Sequence, residues 1–120
     1  MDPDKVVQQQ LDAYNARDLP AIMATYAADA EQFEHPATLL ASGSAQIRDR
    51  FALRFLEPNL HARLIQRIVS GNVVIDHESV TRVFPEGPGQ VQLVAIYEIK
   101  NERISKAWFI PGPKTLDLKP

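Results

Sequence analysis

The chain has no cysteine, which excludes disulfides, thiolate nucleophiles and cysteine-ligated zinc. No apolar run approaches the ~20 residues that a membrane-spanning helix needs. The N-terminus lacks a charged-then-apolar leader, reading Met-Asp-Pro-Asp-Lys and then glutamines. A cytoplasmic location is therefore expected. Neither sign of charge dominates, with 13 Lys+Arg against 15 Asp+Glu. Without a basic stripe, neither nucleic acid nor a membrane is an expected partner. There is no glycine-rich phosphate loop, no Ser-His-Asp order, no HExxH run and no internal repeat, and neither a metal nor a cofactor is expected. What remains is 120 residues, 45% of them hydrophobic. That is enough for one domain, 1–120, with a real core.

Asp2-Pro3 reads as an N-cap followed by proline at the first helical position. Val6, Val7, Leu11 and Tyr14 recur at helical spacing, which predicts an amphipathic helix over 3–17. Gln10 falls inside that stripe, either as a tolerated edge residue or as a hydrogen-bonding group in a pocket wall. Asp18 caps a second, short helix with Pro20 in its first turn. The stretch 29–35 reads as a strand ending in Glu34-His35 against Pro36, and 36–41 as a loop. Ser42-Gly43-Ser44 opens a third helix by hydroxyl capping. Ile47, Phe51 and Phe55 form its buried stripe, and Arg48, Asp49, Arg50 and Arg54 its solvated faces.

The period then changes from helical to alternating. Strands are expected over 61–69, 73–84, 91–100 and 103–110, joined by turns at Gly71-Asn72, 85–89 and Asn101-Glu102. Prolines at 111, 113 and 120 predict an irregular tail over 111–120. Helices segregated from an antiparallel sheet make the fold α+β. The strand 92–98 is apolar on both faces, with Val94 and Ile96 on one and Leu93, Ala95 and Tyr97 on the other. A second copy covering the outer face, as a homodimer through the sheet, is the expected arrangement.

Four blocks carry a family resemblance: Val-Val-Gln at 6–8, Asn-Ala-Arg-Asp-Leu at 15–19, Tyr-Ala-Ala-Asp-Ala at 26–30 and Ser-Gly-Ser-Ala-Gln-Ile-Arg at 42–48. In sequence and spacing they resemble the nuclear transport factor 2-like superfamily, in its SnoaL-like and ketosteroid-isomerase-like branch. The isomerase pattern there is V-V-Q, N-A-G-D-L, F-A-D-D-A and S-G-x-A-x-I-R. The resemblance implies a cone-shaped, curved antiparallel sheet wrapped on three N-terminal helices, an apolar pocket and frequent dimerisation. In the isomerases a carboxylate removes a proton beside a carbonyl, while a tyrosine and a protonated aspartic acid stabilise the enolate. By position, the base falls on Glu34 and the two donors on Gln10 and Ala95. The carboxylate is retained and the donor pair is not. Losing one such donor costs ~3–4 kcal/mol of transition-state stabilisation. Authentic ketosteroid isomerase activity is not expected.

The candidate catalytic residues are Glu34, as general base, and His35, whose free pKa lies near neutrality. Each has a plain alternative as a solvent-facing residue. Strand alternation adds a conflict, because Phe33 and His35 share one face and Gln32 and Glu34 the other. The expected pocket walls are Gln10, Tyr14, Phe33, Phe51, Phe55, His77, Ala95, Tyr97 and Trp108, with core packing as the alternative for the aromatic residues. Ile75-Asp76-His77-Glu78-Ser79 places ionisable groups on the concave face in either register. Neighbours on a strand point apart, so this run makes a poor metal site. The function expected is a SnoaL-like or steroid delta-isomerase-like protein with a pocket for a small apolar organic ligand, performing proton transfer on a carbonyl compound. The alternatives are a non-catalytic ligand-binding or dimerisation module of the same fold and, less favoured, an accessory scaffold. The ligand's identity is not legible.

Overall fold

A computed structural model describes residues 2–117. In chain order the elements are α1 (Pro3–Ala16), α2 (Leu19–Met23), β1 (Tyr26–Glu34), β2 (Thr38–Ser42), α3 (Ser44–Arg54), β3 (His61–Ser70), β4 (Val73–Phe84), β5 (Gly87–Lys100) and β6 (Arg103–Leu116). The six strands form one curved, unclosed sheet in the order β2-β1-β6-β5-β4-β3. The helices pack on its concave face, so the architecture is α+β, as the element order implied. No helix among the described residues is long and apolar enough to cross a membrane.

The motif blocks act on the backbone. Arg17 takes a left-handed conformation, φ 53°, which closes α1 at the position where the isomerase pattern has glycine. Its guanidinium donates to the carbonyls of Glu57, Pro58 and Leu60. The Asn15 amide bonds both the N–H and the C=O of Ala62, and the Asp18 carboxylate accepts from the Ala21 N–H at 3.0 Å. Together these contacts tie the α1–α2 corner to the start of β3.

Several local expectations are corrected. Asp2 sits at the N-cap of α1, but its side chain makes no cap bond. The N-cap of α3 is Gly43, at φ 85°, without hydroxyl capping; instead the Gln46 side chain accepts from the Ser42 N–H at 2.8 Å. The segment expected to be a loop contains β2. Four of its five residues are exposed, so it carries no alternation to read. β1 runs parallel to β6, the one parallel pairing among the described residues.

The expected irregular tail is strand as far as Leu116. Pairing of β6 with β1 ends at Glu34 and Phe109. Beyond that point, among the described residues, β6 bonds only β5, leaving an open edge where Pro111 and Pro113 remove no ladder bond. Residues 118–120 of the expected tail lie outside the described residues.

Two apolar clusters fill the concave side. One is built from Val6, Val7, Ile22, Ile47, Phe51 and Tyr97 with their neighbours, and the other from Leu11, Leu60, Ala62 and Val80.

Candidate functional site

Alternation along β4 decides the chemistry of the concave face. Val74, Asp76, Glu78 and Val80 point inward and are buried, while Ile75, His77 and Ser79 point outward. Two carboxylates thus enter the interior from one strand. Arg67 on β3, directly opposite Asp76 in register, donates to both Asp76 oxygens at 2.7 and 2.9 Å and to the Gln8 side-chain oxygen at 2.9 Å. Asp76 is therefore a buried charge with a bidentate partner.

Glu78 is different. It is 5% exposed, and among the described residues no donor hydrogen-bonds its carboxylate. Burial, reinforced by the nearby Asp76 and only partly offset by Arg67, pushes its pKa up to about 7. Desolvation penalises the charged form and a like charge adds to the penalty.

Glu78 borders a cavity of about 370 Å³. Gln10, Leu11 and Tyr14 of α1 line it, with Ala62 of β3 and Val80 of β4 beside them. Leu93, Tyr97, Phe109 and Pro111 supply the wall from β5 and β6. Gln32 and Glu34 of β1 and Arg50, Phe51 and Arg54 of α3 line it too, with Leu40 of β2, Val91 of β5, and Arg82 and Phe84 from the end of β4. Burial raises the pKa of both Tyr14 and Tyr97; at Tyr14 the Arg54 guanidinium opposes the rise. Both phenols are therefore held neutral, as potential donors. Gln32 is almost wholly buried, donates to the Tyr26 hydroxyl at 3.3 Å and accepts a short hydrogen bond from Arg50.

Of the residues singled out from sequence, Gln10, Tyr14, Phe51, Tyr97 and Glu34 border this cavity. Glu34 is exposed and sits at the mouth, two residues beyond buried Gln32 on the same face. The β1 conflict resolves with Gln32 and Glu34 inward. Phe33 turns outward and stacks on Trp108 with ring centroids 5.9 Å apart, so neither ring lies on the cavity wall. His35 follows the end of β1 and is exposed. His77 is on the convex face, within hydrogen-bond distance of Gln92 at 3.0 Å. Ala95 is buried opposite Asp76 in the sheet register, inside the core. Phe55 packs against Tyr14 and Phe51 at ring separations near 5.8 Å and 5.8 Å and stays behind the wall.

Sequence reasoning missed the guanidinium groups. Arg50 and Arg54 were expected on the solvated faces of α3, yet both line the cavity. The available signal was their spacing, four residues apart and each one position before a phenylalanine of the packed stripe, Phe51 buried and Phe55 half-buried. Such residues flank the buried stripe of a helix.

The sequence model of the SnoaL-like domain matches residues 7–107. The chain belongs to the SnoaL-like domain family. No curated protein sequence matches this SnoaL-like chain. Among solved structures, it is similar to an uncharacterised cystatin-fold protein from Novosphingobium aromaticivorans, at 23% identity and a TM-score of 0.83, covering 92% of this chain and 98% of that one. A candidate polyketide cyclase from Sinorhizobium meliloti gives 24% identity and 0.74, covering 88% and 93%. A candidate ketosteroid isomerase from Kribbella flavida gives 16% and 0.78, covering 98% and 82%. These likenesses establish the shared fold. Chemistry must be argued from this SnoaL-like domain's own side chains.

Proposed function

We propose that this SnoaL-like protein is an acid–base catalyst that moves a proton on a small, largely apolar carbonyl compound, with Glu78 as the proton-transferring group. The observation that carries this reading is a buried carboxyl, without a bonded cation, on the wall of a mostly apolar cavity. A carboxyl near pKa 7 exists in both protonation states at neutral pH, which is the condition for efficient general acid–base work. Tyr14, Tyr97 and Gln10 on the same walls are the neutral donors available to polarise a carbonyl. Glu34, exposed at the mouth, is the second carboxylate and the position the isomerase pattern marks; in this reading it shapes entry rather than abstracting the proton. The candidate ketosteroid isomerase and polyketide cyclase among the structural neighbours are consistent with carbonyl chemistry in this fold.

The test is solvent deuterium exchange at C1 of 2-tetralone, followed by proton NMR, for the native protein, Glu78→Gln and Glu34→Gln. General-base catalysis is typically worth ~10²–10⁴-fold. Glu78→Gln is expected to lose most of the protein-catalysed exchange, and Glu34→Gln to lose little. Equal rates in native protein and Glu78→Gln overturn the assignment. Binding of tetralone without exchange favours the non-catalytic ligand-binding module instead.

The same proposal includes a partner, a second copy of the chain docked on the convex sheet face. Ile68, Ile75, Val94, Ile96, Trp108 and Ile110 are there, half-buried or exposed, opposite the helices. An apolar sheet face of this extent suits an isologous interface.

A further inference from the structure

The cavity is mostly apolar, yet three guanidinium groups border it, from Arg50, Arg54 and Arg82. Their compensation is uneven. Arg82 donates to both oxygens of Glu57, at 3.2 and 2.8 Å. The same carboxylate lies 3.6 Å from Arg54 and also accepts from the Val83 N–H. One carboxylate thus serves two arginines and a backbone amide. Arg50 has no ion-pair partner among the described residues; its bonded acceptor is the neutral amide of Gln32. Burial, and then the like charge of Arg54, act against its positive charge and lower its pKa. A half-buried guanidinium has five N–H donors in a fixed fork, and one neutral acceptor leaves most of that capacity unused. The carboxylates on the cavity wall do not fill the gap. Glu78 enters from β4, and Glu34 lies out at the mouth.

We infer that the ligand carries a carboxylate on its otherwise apolar body, and that Arg50, backed by Arg54, is the subsite that holds it. The inference rests on the proposal that this cavity is the substrate site, and it narrows the substrate class to apolar carbonyl compounds bearing a carboxylate. A carboxylate reaching Arg50 supplies the missing countercharge and accepts parallel N–H bonds from the guanidinium fork. The Gln32–Tyr26 contact beneath fixes the orientation of that fork. Ring and alkyl portions would then lie along Leu93, Tyr97 and Phe109. Anchored at one end, the carbonyl-bearing body is presented to Glu78, and α3 becomes the specificity element of the site.

Isothermal titration of 2-naphthoate and 2-naphthamide tests this, because the two probes share shape and ring and differ in charge. At pH 6, with the native protein, naphthoate is expected to bind at least about tenfold more tightly, as a hydrogen bond to a charged group is worth ~1.5–3 kcal/mol. In Arg50→Gln that preference is expected to vanish through weaker naphthoate binding, with naphthamide changed less than about twofold. Arg50→Lys keeps the charge without the fork and should retain part of the preference. Arg54→Gln provides a second variant if Arg50→Gln fails to fold. Equal affinity of the two probes for the native protein overturns the subsite, as does an undiminished preference in Arg50→Gln. Failure here is separable from failure of the catalytic reading. Equal affinities with Glu78-dependent tetralone exchange remove only the carboxylate subsite. Charge-selective binding without exchange removes only the catalysis. Binding of neither probe removes the cavity as the ligand site.

Discussion

Arg67 grips both oxygens of Asp76 at 2.7 and 2.9 Å and leaves Glu78, two residues along the same face of β4, without a bonded cation among the described residues. The asymmetry divides the two carboxylates by role. Asp76 is a buried anion with a partner. Glu78 is pushed toward neutrality by its burial and by Asp76, and faces the cavity.

Glu78 makes stability depend on pH in a direction opposite to that of a paired carboxylate. Its folded pKa, about 7, lies above the ordinary 4.5. Between those values the folded chain holds a proton that the unfolded chain has released, so stability falls as pH rises through this window and levels off above it. The full shift corresponds to ~3 kcal/mol. Urea unfolding of Glu78→Gln should therefore show a flatter profile from pH 4.5 to 8, with a gain over native of ~2–3 kcal/mol at pH 8 and little difference at pH 4.5. Glu57, whose pKa is lowered because its bonds from Arg82 and Val83 outweigh its burial, acts in a separate window, losing its contribution as pH falls below 4.5. A native profile that rises between pH 5 and 8 would contradict the Glu78 assignment.

Breaking the buried pair is costly mainly because of the charge left behind. Asp76 is fully buried and the Arg67 side chain is 15% exposed. Arg67→Met should destabilise by ~3–5 kcal/mol. Arg67→Met combined with Asp76→Leu should cost less than the two single changes summed, since neither charge is then stranded. Denaturant titration of the four members of this cycle measures the coupling, and strict additivity would rule the pair out as an energetic unit.

Gly89 of β5 lies opposite Leu116 at the far end of β6. A Cβ there would lie 2.4 Å from the Thr115 carbonyl oxygen and 2.9 Å from the Leu116 Cα, both backbone. Gly89→Ala forces a main-chain shift and should cost ~1–3 kcal/mol. Amide hydrogen exchange should speed up at 114–116 and leave β4 unchanged. Unaltered exchange at those residues would show that β6 does not run on as a strand beyond Pro111.

Self-association through the convex face is tested by Ile96→Arg. This side chain alternates outward, away from Ala95 and Tyr97. A charge placed there should convert a dimer to monomer in sedimentation velocity, with the cavity intact and tetralone exchange within about twofold of native. A native protein that sediments as a monomer at micromolar concentration would refute the interface.

Much of the fold was legible from the chain alone. Helical spacing of Val6, Val7, Leu11 and Tyr14, the Asp18 cap, and the β-rich run over 73–84 are local signals, and they matched the elements formed, while the strand expected over 91–100 begins earlier, at Gly87, inside the expected 85–89 turn. The missed strands lacked such signals. β2 is almost wholly exposed, so nothing in it alternates. The end of β6 contains prolines tolerated only because β1 stops short beside it.

The site divides along the same line. Sequence alone determined that ionisable groups enter the concave face from β4, since both registers of Asp76-His77-Glu78-Ser79 carry them, and that β1 brings a carboxylate to the region. It did not determine which face of either strand is inside. A slip of one residue inverts every side chain, and the choice depends on packing against α1 and α3 and on Arg67 lying opposite Asp76. Nor could the helix pattern alone reveal that Arg50 and Arg54, flanking the buried stripe, turn toward a cavity instead of solvent. Only the tertiary structure decided that, because it packs α3 against β1 and β2 and gives the Arg50 guanidinium a neutral amide where an anion would balance it.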